Sequence, residues 1–125
     1  MRVAHVALWA VDREAVCAFY VEHLGATAGE LYVNEAKGFR SRFLSWDDGA
    51  RLEVMHRADL APAREGAAGW AHVALSVGSE TAVDEAAARL GRAGVEVVDG
   101  PRRTGDGYYE CVVLDPEGNR VELTA

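Results

Sequence analysis

The sequence AHVAL fills residues 4–8 and returns at residues 71–75, so that His5 and His72 lie 67 positions apart. Five common letters are weak evidence by themselves, but the patterns that follow the two copies also match. Each copy is a short run rich in Ala, Val and Leu, which is bounded by polar residues and is consistent with a strand. We therefore interpret the two copies as the first strands of two equivalent halves of the chain.

A helix is predicted after each copy. The first begins at Asp12, a residue type that caps helix N-termini, and ends at Gly25, a residue type that closes them. The second begins at Ser79, again 67 positions later, and ends at Gly94, which lies 69 positions after its counterpart. The second helix or its exit has therefore gained about two residues. The predicted core-facing residues are Val16, Phe19, Tyr20 and Leu24 in the first helix and Val83, Ala86, Ala87 and Leu90 in the second.

Three further strand-like segments follow each helix. They are GELYVNE (29–35), GFRSRFLSW (38–46) and ARLEVMHR (50–57) in the first half, and VEVVDG (95–100), YYECVVL (108–114) and NRVELTA (119–125) in the second. The predicted fold class is α+β, with two tandem βαβββ modules, residues 1–57 and 69–125, in one domain spanning 1–125. A polar linker that contains Pro and Gly, residues 58–68, joins the modules.

Strand alternation places four polar residues on one predicted face. Each first strand has its histidine, His5 or His72, on the side opposite the Val and Leu of AHVAL, which we expect to face the helix. Each last strand has a glutamate, Glu53 or Glu122, between apolar residues that would face the same helix. The two histidines and two glutamates are therefore expected to converge on the face that no helix covers.

This convergence predicts a metal-binding cup. A buried carboxylate is costly unless it is paired or bound to a cation. Two carboxylates with two imidazoles form a ligand set that suits Zn, Ni, Co, Fe or Mn. Four protein ligands in an open cup would leave room for water or substrate oxygens, as catalytic sites do. The other two histidines, His23 and His56, fail the repeat test and are interpreted as structural or exposed. Trp9, Met55 and Trp70 share the cup side, as pocket walls or dimer-interface residues.

Composition excludes other classes of function. The net charge of −7 argues against a nucleic-acid surface, which needs a basic face. No apolar stretch approaches the roughly 20 residues of a membrane-spanning helix, so we expect no membrane partner. Cys17 and Cys111 fit no metal or redox spacing and lie in apolar runs. We therefore predict buried, reduced thiols and a cytoplasmic protein.

A family resemblance adds to this interpretation. GWAHVALSV (69–77), GPRRTGDGYY (100–109), which is expected to be a loop, and LDPEGNRVEL (114–123) resemble the vicinal oxygen chelate superfamily. That superfamily includes glyoxalase I, bleomycin resistance proteins and extradiol dioxygenases, and the chain is most similar to small bacterial glyoxalase-like proteins of unassigned substrate. The resemblance implies paired βαβββ modules that form a curled sheet around a metal-binding cup, with helices on the outer face. The metal ligands it implies are His5, Glu53, His72 and Glu122.

The ligand set looks most like that of glyoxalase I. This resemblance implies a divalent-metal-dependent lyase or isomerase that moves a proton through a metal-bound enediolate. The substrate would be a small carbonyl compound or its thiol adduct, with Glu122 as the first choice for the catalytic base and Glu53 as the alternative. One divalent metal per site is expected, Ni, Co or Zn first and then Mn or Fe. A homodimer is expected as well, and the sequence leaves open whether one chain or two supply each metal.

Two alternatives remain open on the sequence. One is a binding or antibiotic-resistance protein of the same fold, and the other is an Fe(II) dioxygenase, against which Glu53 argues. Trp9 and Arg57 stand where glutathione-dependent glyoxalases usually have Arg and Asn, which argues against glutathione as the thiol. Tyr108 and Glu110 are further candidates for the substrate pocket. Five other arginines are interpreted as surface charges: Arg40, Arg42, Arg51, Arg102 and Arg103.

Overall fold

A computed structural model describes residues 1–62 and 69–125. The chain divides into two compact units, and the division falls within the predicted linker. Unit one here means the described residues 1–62, and unit two means residues 69–125. Of the predicted linker, residues 63–68 lie outside the described residues. The interpretation of 1–125 as one domain stays a prediction.

Unit one is a βαβββ module with a four-stranded mixed sheet. Its elements are β1 (His5–Trp9), α1 (Arg13–Leu24), β2 (Thr27–Asn34), a short 3₁₀ helix (Glu35–Lys37), β3 (Phe39–Ser45) and β4 (Arg51–Arg57). The strand order is β1-β4-β3-β2, in which β1 runs parallel to β4 and the other pairs are antiparallel. The sequence did not predict the 3₁₀ helix, which the side chain of Asn34 caps by accepting from the Lys37 N–H at 3.2 Å.

Unit two repeats this topology. Its elements are β5 (Val73–Ser76), α2 (Glu80–Arg92), β6 (Val97–Arg103), β7 (Tyr109–Leu114) and β8 (Arg120–Thr124). The strand order is β5-β8-β7-β6, again with one parallel pair, β5 and β8, and antiparallel neighbours. The predicted α+β fold of two βαβββ modules is therefore confirmed.

The helices begin and end where the sequence predicts. Asp12 caps α1 by accepting from the Ala15 N–H at 3.0 Å, and Ser79 caps α2 by accepting from the Ala82 N–H at 3.2 Å. Gly25 ends α1 in the left-handed conformation, with φ of 69°. α2 has 13 residues against 12 in α1, and Ala93 stands between its last residue and the closing glycine. The helix and its exit thus each account for one of the two extra residues.

Each helix covers one face of its own sheet. The core of each unit lies between that helix and that sheet. The predicted faces are buried, except that Leu24 is only half-buried. Fully buried residues are Val16, Tyr20, Leu44 and Val54 in unit one and Val83, Leu90, Val113 and Val121 in unit two. Burial of one such aliphatic side chain contributes on the order of 1.5–3 kcal/mol. Within the described residues, no helix is long and apolar enough to cross a membrane.

One predicted loop is a strand. Residues 100–103 belong to β6, which pairs with β7 through Arg102–Glu110 and Arg103–Tyr109. The sequence suggests a loop because Gly100 and Pro101 are typical turn residues. β6 tolerates them because its register shifts twice, between Val97 and Asp99 and again before Arg102, as at a β-bulge.

Candidate metal centre

Unit one brings His5 and Glu53 together. β1 and β4 are parallel, and Ala7 pairs with Glu53, so His5 lies diagonally across from the glutamate on the same face. The His5 Nε2 atom is 3.9 Å from Glu53 Oε2. The histidine side chain is 43% exposed and the glutamate side chain 15% exposed. Phe43, which pairs with Glu53, contacts the His5 ring edge-on at 5.4 Å between centroids.

Unit two builds the same pair. Ala74 pairs with Glu122, and His72 lies just before β5, so the histidine is again diagonal to the glutamate. The His72 Nε2 atom is 3.5 Å from Glu122 Oε2, and the side chains are 44% and 15% exposed. The residues around AHVAL thus produce the same geometry twice, as their repeat spacing predicts.

The distances within each pair suit a shared cation. Two ligand atoms about 2.1 Å from one ion lie roughly 3.0–3.4 Å apart at angles of about 90–110°. The observed separations are 3.9 Å and 3.5 Å, so small side-chain adjustments would bring both atoms onto one ion. Imidazole nitrogen with carboxylate oxygen is also a donor set that borderline divalent metals accept. The residues of each pair therefore fit the predicted metal.

The residues that the structure describes hold no group of three or more His, Cys, Asp or Glu side chains that could bind a metal ion. The His–Glu pair is thus what each unit supplies. A four-ligand set requires two such pairs. That His5, Glu53, His72 and Glu122 bind one ion together stays a prediction.

The Glu122 carboxylate has a charged neighbourhood in unit two. Glu110 on β7 is only 9% exposed, and Arg102 on β6 lies 3.7 Å from it, between Nη2 and Oε1. Burial, the charge of Glu122 and a hydrogen bond with that residue raise the pKa of Glu110, and Arg102 opposes the rise. The Asp99 carboxylate accepts hydrogen bonds from the Arg102 guanidinium, and these bonds lower the pKa of that aspartate.

The sequence interpretation missed the contacts of Arg102. It was expected to be a surface charge, and its side chain is indeed 45% exposed, but it joins two carboxylates near the candidate centre. The pattern that signals it is its pairing with Glu110 across β6 and β7. That pairing was hidden because the segment was expected to be a loop.

Unit one has aromatic residues on the corresponding face. Trp9 is 43% exposed, and its ring contacts Phe39 edge-on at 6.1 Å. The Arg57 guanidinium lies over the Trp9 ring, 4.8 Å from its centroid, and forms an ion pair with Asp59 at 2.8 Å. The two residues that depart from the glutathione-dependent pattern, Trp9 and Arg57, therefore contact each other. Such a stack holds an arginine in place and leaves much of the indole accessible.

The remaining candidates for the substrate pocket differ in how exposed their side chains are. Met55 pairs with Trp9 on the face of Glu53 and is half-buried. Trp70 is 90% exposed, and Tyr108 is 58% exposed at the end of the β6–β7 turn. The backbone of that turn closes with the Thr104 N–H donating to the Tyr108 carbonyl at 2.8 Å, as ordinary hairpin chemistry predicts. Their roles as pocket or interface residues stay predictions.

The histidines and cysteines outside the pairs have structural positions. His56 lies in hydrogen-bond contact with the Ala10 carbonyl through Nδ1 at 3.0 Å, and His23 stacks edge-on with Phe19 at 5.5 Å. Cys17 and Cys111 are free and buried, as predicted. Burial raises the pKa of both thiols, that of Cys111 to about 11.

Comparison with known proteins identifies the family. A family model described as the Glyoxalase/Bleomycin resistance protein/Dioxygenase superfamily matches residues 2–123. The chain belongs to this superfamily. The match covers nearly the whole sequence and confirms the resemblance that the repeated motifs suggested. A comparison with curated proteins gives no match.

Solved structures of this superfamily share the fold. The trypanothione-dependent glyoxalase I of Leishmania major is 21% identical, with a TM-score of 0.82 over 99% of this chain and 86% of the other. A glyoxalase family protein from Enterococcus faecalis is 25% identical, with a TM-score of 0.82 over 98% and 96% of the two chains. The lactoylglutathione lyase of Agrobacterium tumefaciens is 26% identical, with a TM-score of 0.70 over 98% and 91%. The superfamily holds enzymes and non-enzymes, so membership by itself leaves the reaction open.

Proposed function

We propose that the protein is a divalent-metal-dependent lyase or isomerase of the glyoxalase type. Its substrate would be a small carbonyl compound or the adduct of that compound with a thiol. The observation that supports this proposal best is the His–Glu pair, which recurs with the same diagonal register and nearly the same exposure in both units. The glutamate side chain of each pair is also only 15% exposed, which argues against an ordinary solvated surface pair.

The residues would divide the work as follows. His5, Glu53, His72 and Glu122 would hold the ion, with Ni, Co or Zn as the first candidates and Mn or Fe as the next. Bound there, the ion would act as a Lewis acid toward substrate oxygens. Glu122 would take a proton from the carbon next to the carbonyl and return it to the neighbouring carbon. Glu53 is the alternative base.

The thiol partner is proposed to differ from glutathione. Trp9 and Arg57 form a stacked pair on the sheet face that carries His5 and Glu53, with the guanidinium 4.8 Å from the ring centroid. This arrangement offers an apolar surface and one guanidinium already paired with Asp59. A smaller thiol or one with fewer carboxylates would fit that chemistry better than glutathione.

The proposal is tested by measuring metal content and turnover together. The native protein is purified without chelators, its divalent metal is quantified, and activity is assayed with methylglyoxal and several thiols, glutathione included. We expect one metal per chain and turnover with at least one thiol. Failure of both the native and the metal-stripped protein to bind any divalent metal would contradict the proposal. Metal binding without turnover of any carbonyl–thiol pair would favour the binding or resistance function instead.

Variants of the two glutamates assign their roles. Glu122→Gln keeps the size of the side chain but cannot accept a proton, so we expect kcat to fall by about 10²–10⁴-fold. Glu53→Gln is the matched variant in unit one and is expected to weaken metal binding more than it lowers kcat at saturating metal. Glu30→Gln, at an exposed position on β2, is the control and is expected to leave both unchanged. A larger loss of kcat in Glu53→Gln would exchange the two roles.

A homodimer is proposed as the working assembly. Each chain carries two His–Glu pairs, and two pairs make one four-ligand set. Whether the two pairs come from one chain or from two, the metal content is one ion per chain. Sedimentation of the metal-loaded protein gives the assembly directly, and a monomer that retains one metal per chain would exclude shared sites.

A further inference from the structure

A guanidinium lies beside the His5–Glu53 pair, on the face of the unit-one sheet that α1 leaves uncovered. Arg51, the first residue of β4, is the register partner of His5 and stands two positions before Glu53. Residues two apart on a strand point to the same side, so Arg51 shares this face with the glutamate. Arg51 is exposed to solvent. The sequence alone gave no reason to treat it as more than a surface charge.

An aromatic ring supports the Arg51 guanidinium. Its Cζ atom lies over the Phe43 ring, 4.3 Å from the centroid. The same ring contacts the His5 ring edge-on, with 5.4 Å between centroids. A cation–π contact uses the charge of a guanidinium and none of its N–H donors. Phe43 therefore holds the cation next to the candidate metal pair while leaving its donors for another partner.

Arg51 differs in charge balance from the other arginines near the candidate centre. Arg57 forms an ion pair with Asp59 at 2.8 Å, and Arg102 in unit two forms one with Asp99 at 2.6 Å. Among the residues that the structure describes, Arg51 forms no ion pair. A guanidinium that is held in place without a carboxylate partner is suited to bind an anionic group of a ligand.

Unit two has an arginine at the equivalent position. Arg120 occupies the place in β8 that Arg51 occupies in β4, two residues before the glutamate of the pair. The residue opposite that glutamate on the neighbouring strand is Val112 in unit two and Phe43 in unit one. Valine offers no ring on which a cation can rest. Arg120 is therefore a matched control for the role of Arg51.

We propose that Arg51 binds a carboxylate of the substrate, and that the substrate is a carbonyl–thiol adduct whose thiol part carries this carboxylate. The inference rests on the proposed function, in which the reacting carbons lie at an ion bound by His5 and Glu53. A guanidinium and a carboxylate form charge-assisted hydrogen bonds, which are often bidentate. Arg57 is already paired with Asp59, which agrees with a thiol that has fewer carboxylates than glutathione.

The test compares two probes that differ in charge and little in shape, 3-(methylthio)propanoate and 3-(methylthio)propanamide. Each is titrated into the full-length protein, both loaded with Zn(II) and metal-free. Binding is followed by NMR, in which the Arg51 Nε–H signal reports contact with the probe. In both forms we expect the carboxylate probe to bind about 10-fold more tightly than the amide and to shift that signal. The preference is expected to weaken as the ionic strength rises.

Variants assign the preference to Arg51. Arg51→Gln is expected to abolish it, and Arg51→Lys, which keeps the charge without the planar fork, is expected to retain part of it. Phe43→Leu keeps an apolar side chain but removes the ring, so the preference should decrease as the guanidinium loses its support. Arg120→Gln is the control and is expected to behave as the wild type.

Equal binding of the two probes by the wild-type protein, or binding of neither, would overturn the inference. A preference that survives Arg51→Gln would also overturn it, because the carboxylate would then lie elsewhere, on the ion if only the Zn(II) form shows the preference. Equal losses in Arg51→Gln and Arg120→Gln would point to a general effect of positive charge and would overturn it as well. None of these outcomes alters the metal content on which the proposed function depends. If the protein binds no divalent metal, the proposed function fails, while the metal-free titration still decides whether Arg51 binds a carboxylate.

Discussion

At the scale of single residues, Cys111 has an environment that links its thiol to the stability of the fold. It lies on β7, is fully buried, and faces α2 rather than the candidate centre. Burial, with smaller contributions from the charges of Asp84 and Glu110, raises its pKa from 9.0 to about 11. The unfolded chain therefore releases this proton near pH 9, while the folded chain keeps it until about pH 11.

We expect the stability of the protein to fall as the pH rises through this window. A raised pKa in the folded state gives a contribution that is complete below pH 9 and is lost toward pH 11. Two units of pKa correspond to at most about 2.7 kcal/mol of unfolding free energy. Urea unfolding at pH 8 and pH 10.5 measures the loss, and Cys111→Ala should remove that part of the pH dependence. An unchanged pH dependence in the variant would contradict the assignment.

At the scale of secondary-structure elements, the β6–β7 pair depends on one glycine. Gly100 has φ of +73°, and a Cβ added there would lie 2.5 Å from the Glu110 carbonyl oxygen and 3.0 Å from the Cys111 Cα. Both contacts are with backbone, which cannot swing aside as a side chain does. The glycine therefore permits the bulged approach that brings Arg102 opposite Glu110.

Gly100→Ala is expected to be much more destabilising than Gly118→Ala. Gly118 also has positive φ, +81°, but an added Cβ would meet nothing within 4 Å. Both variants lose about 1–2 kcal/mol through the left-handed backbone, and Gly100→Ala loses about 1–3 kcal/mol more through the backbone clash. Chemical denaturation of the two variants measures the difference. Equal losses would show that β6 relaxes around the added methyl group.

The elements differ in how well the sequence predicts them. Both helices were located to within a residue because their signals are local: Asp12 and Ser79 accept from the N–H three residues later, whatever the rest of the fold does. The His–Glu geometry followed from counting alternate residues, along β1 for His5 and from one residue ahead of β5 for His72. Counting fails across a bulge, so the continuation of β6 and the Arg102–Glu110 contact were missed. Whether the two pairs share an ion depends on long-range placement, which alternation within a strand does not encode.

At the scale of the whole molecule, the repeat gives the chain two copies of one His–Glu pair. Each pair places one imidazole nitrogen beside one carboxylate oxygen, and the Glu side chains are 15% exposed in both. The neighbours of the two pairs differ more than the pairs do: aromatic rings and Arg57 lie in unit one, and a carboxyl–guanidinium network lies in unit two. This difference is compatible with the proposed function, in which both pairs would supply ligands and Glu122 would handle the proton.

The proposed four-ligand centre predicts that metal binding stabilises the folded protein and that most of this gain requires both pairs. A ligand that binds the native state alone, at 100 times its Kd, adds about 2.7 kcal/mol to the unfolding free energy. We expect this gain when Ni²⁺ or Co²⁺ is added to the metal-free protein, measured by urea unfolding at fixed free metal. His5→Ala and His72→Ala should each lose most of it, because each variant leaves only three of the four proposed ligands.

His56→Ala is the control, since that ring contacts the Ala10 carbonyl on the helix side of the sheet. It is expected to lower the baseline stability while keeping the metal-induced gain. If either His5→Ala or His72→Ala kept the full gain, the two pairs would not act on the same ion, and the four-ligand centre would be wrong.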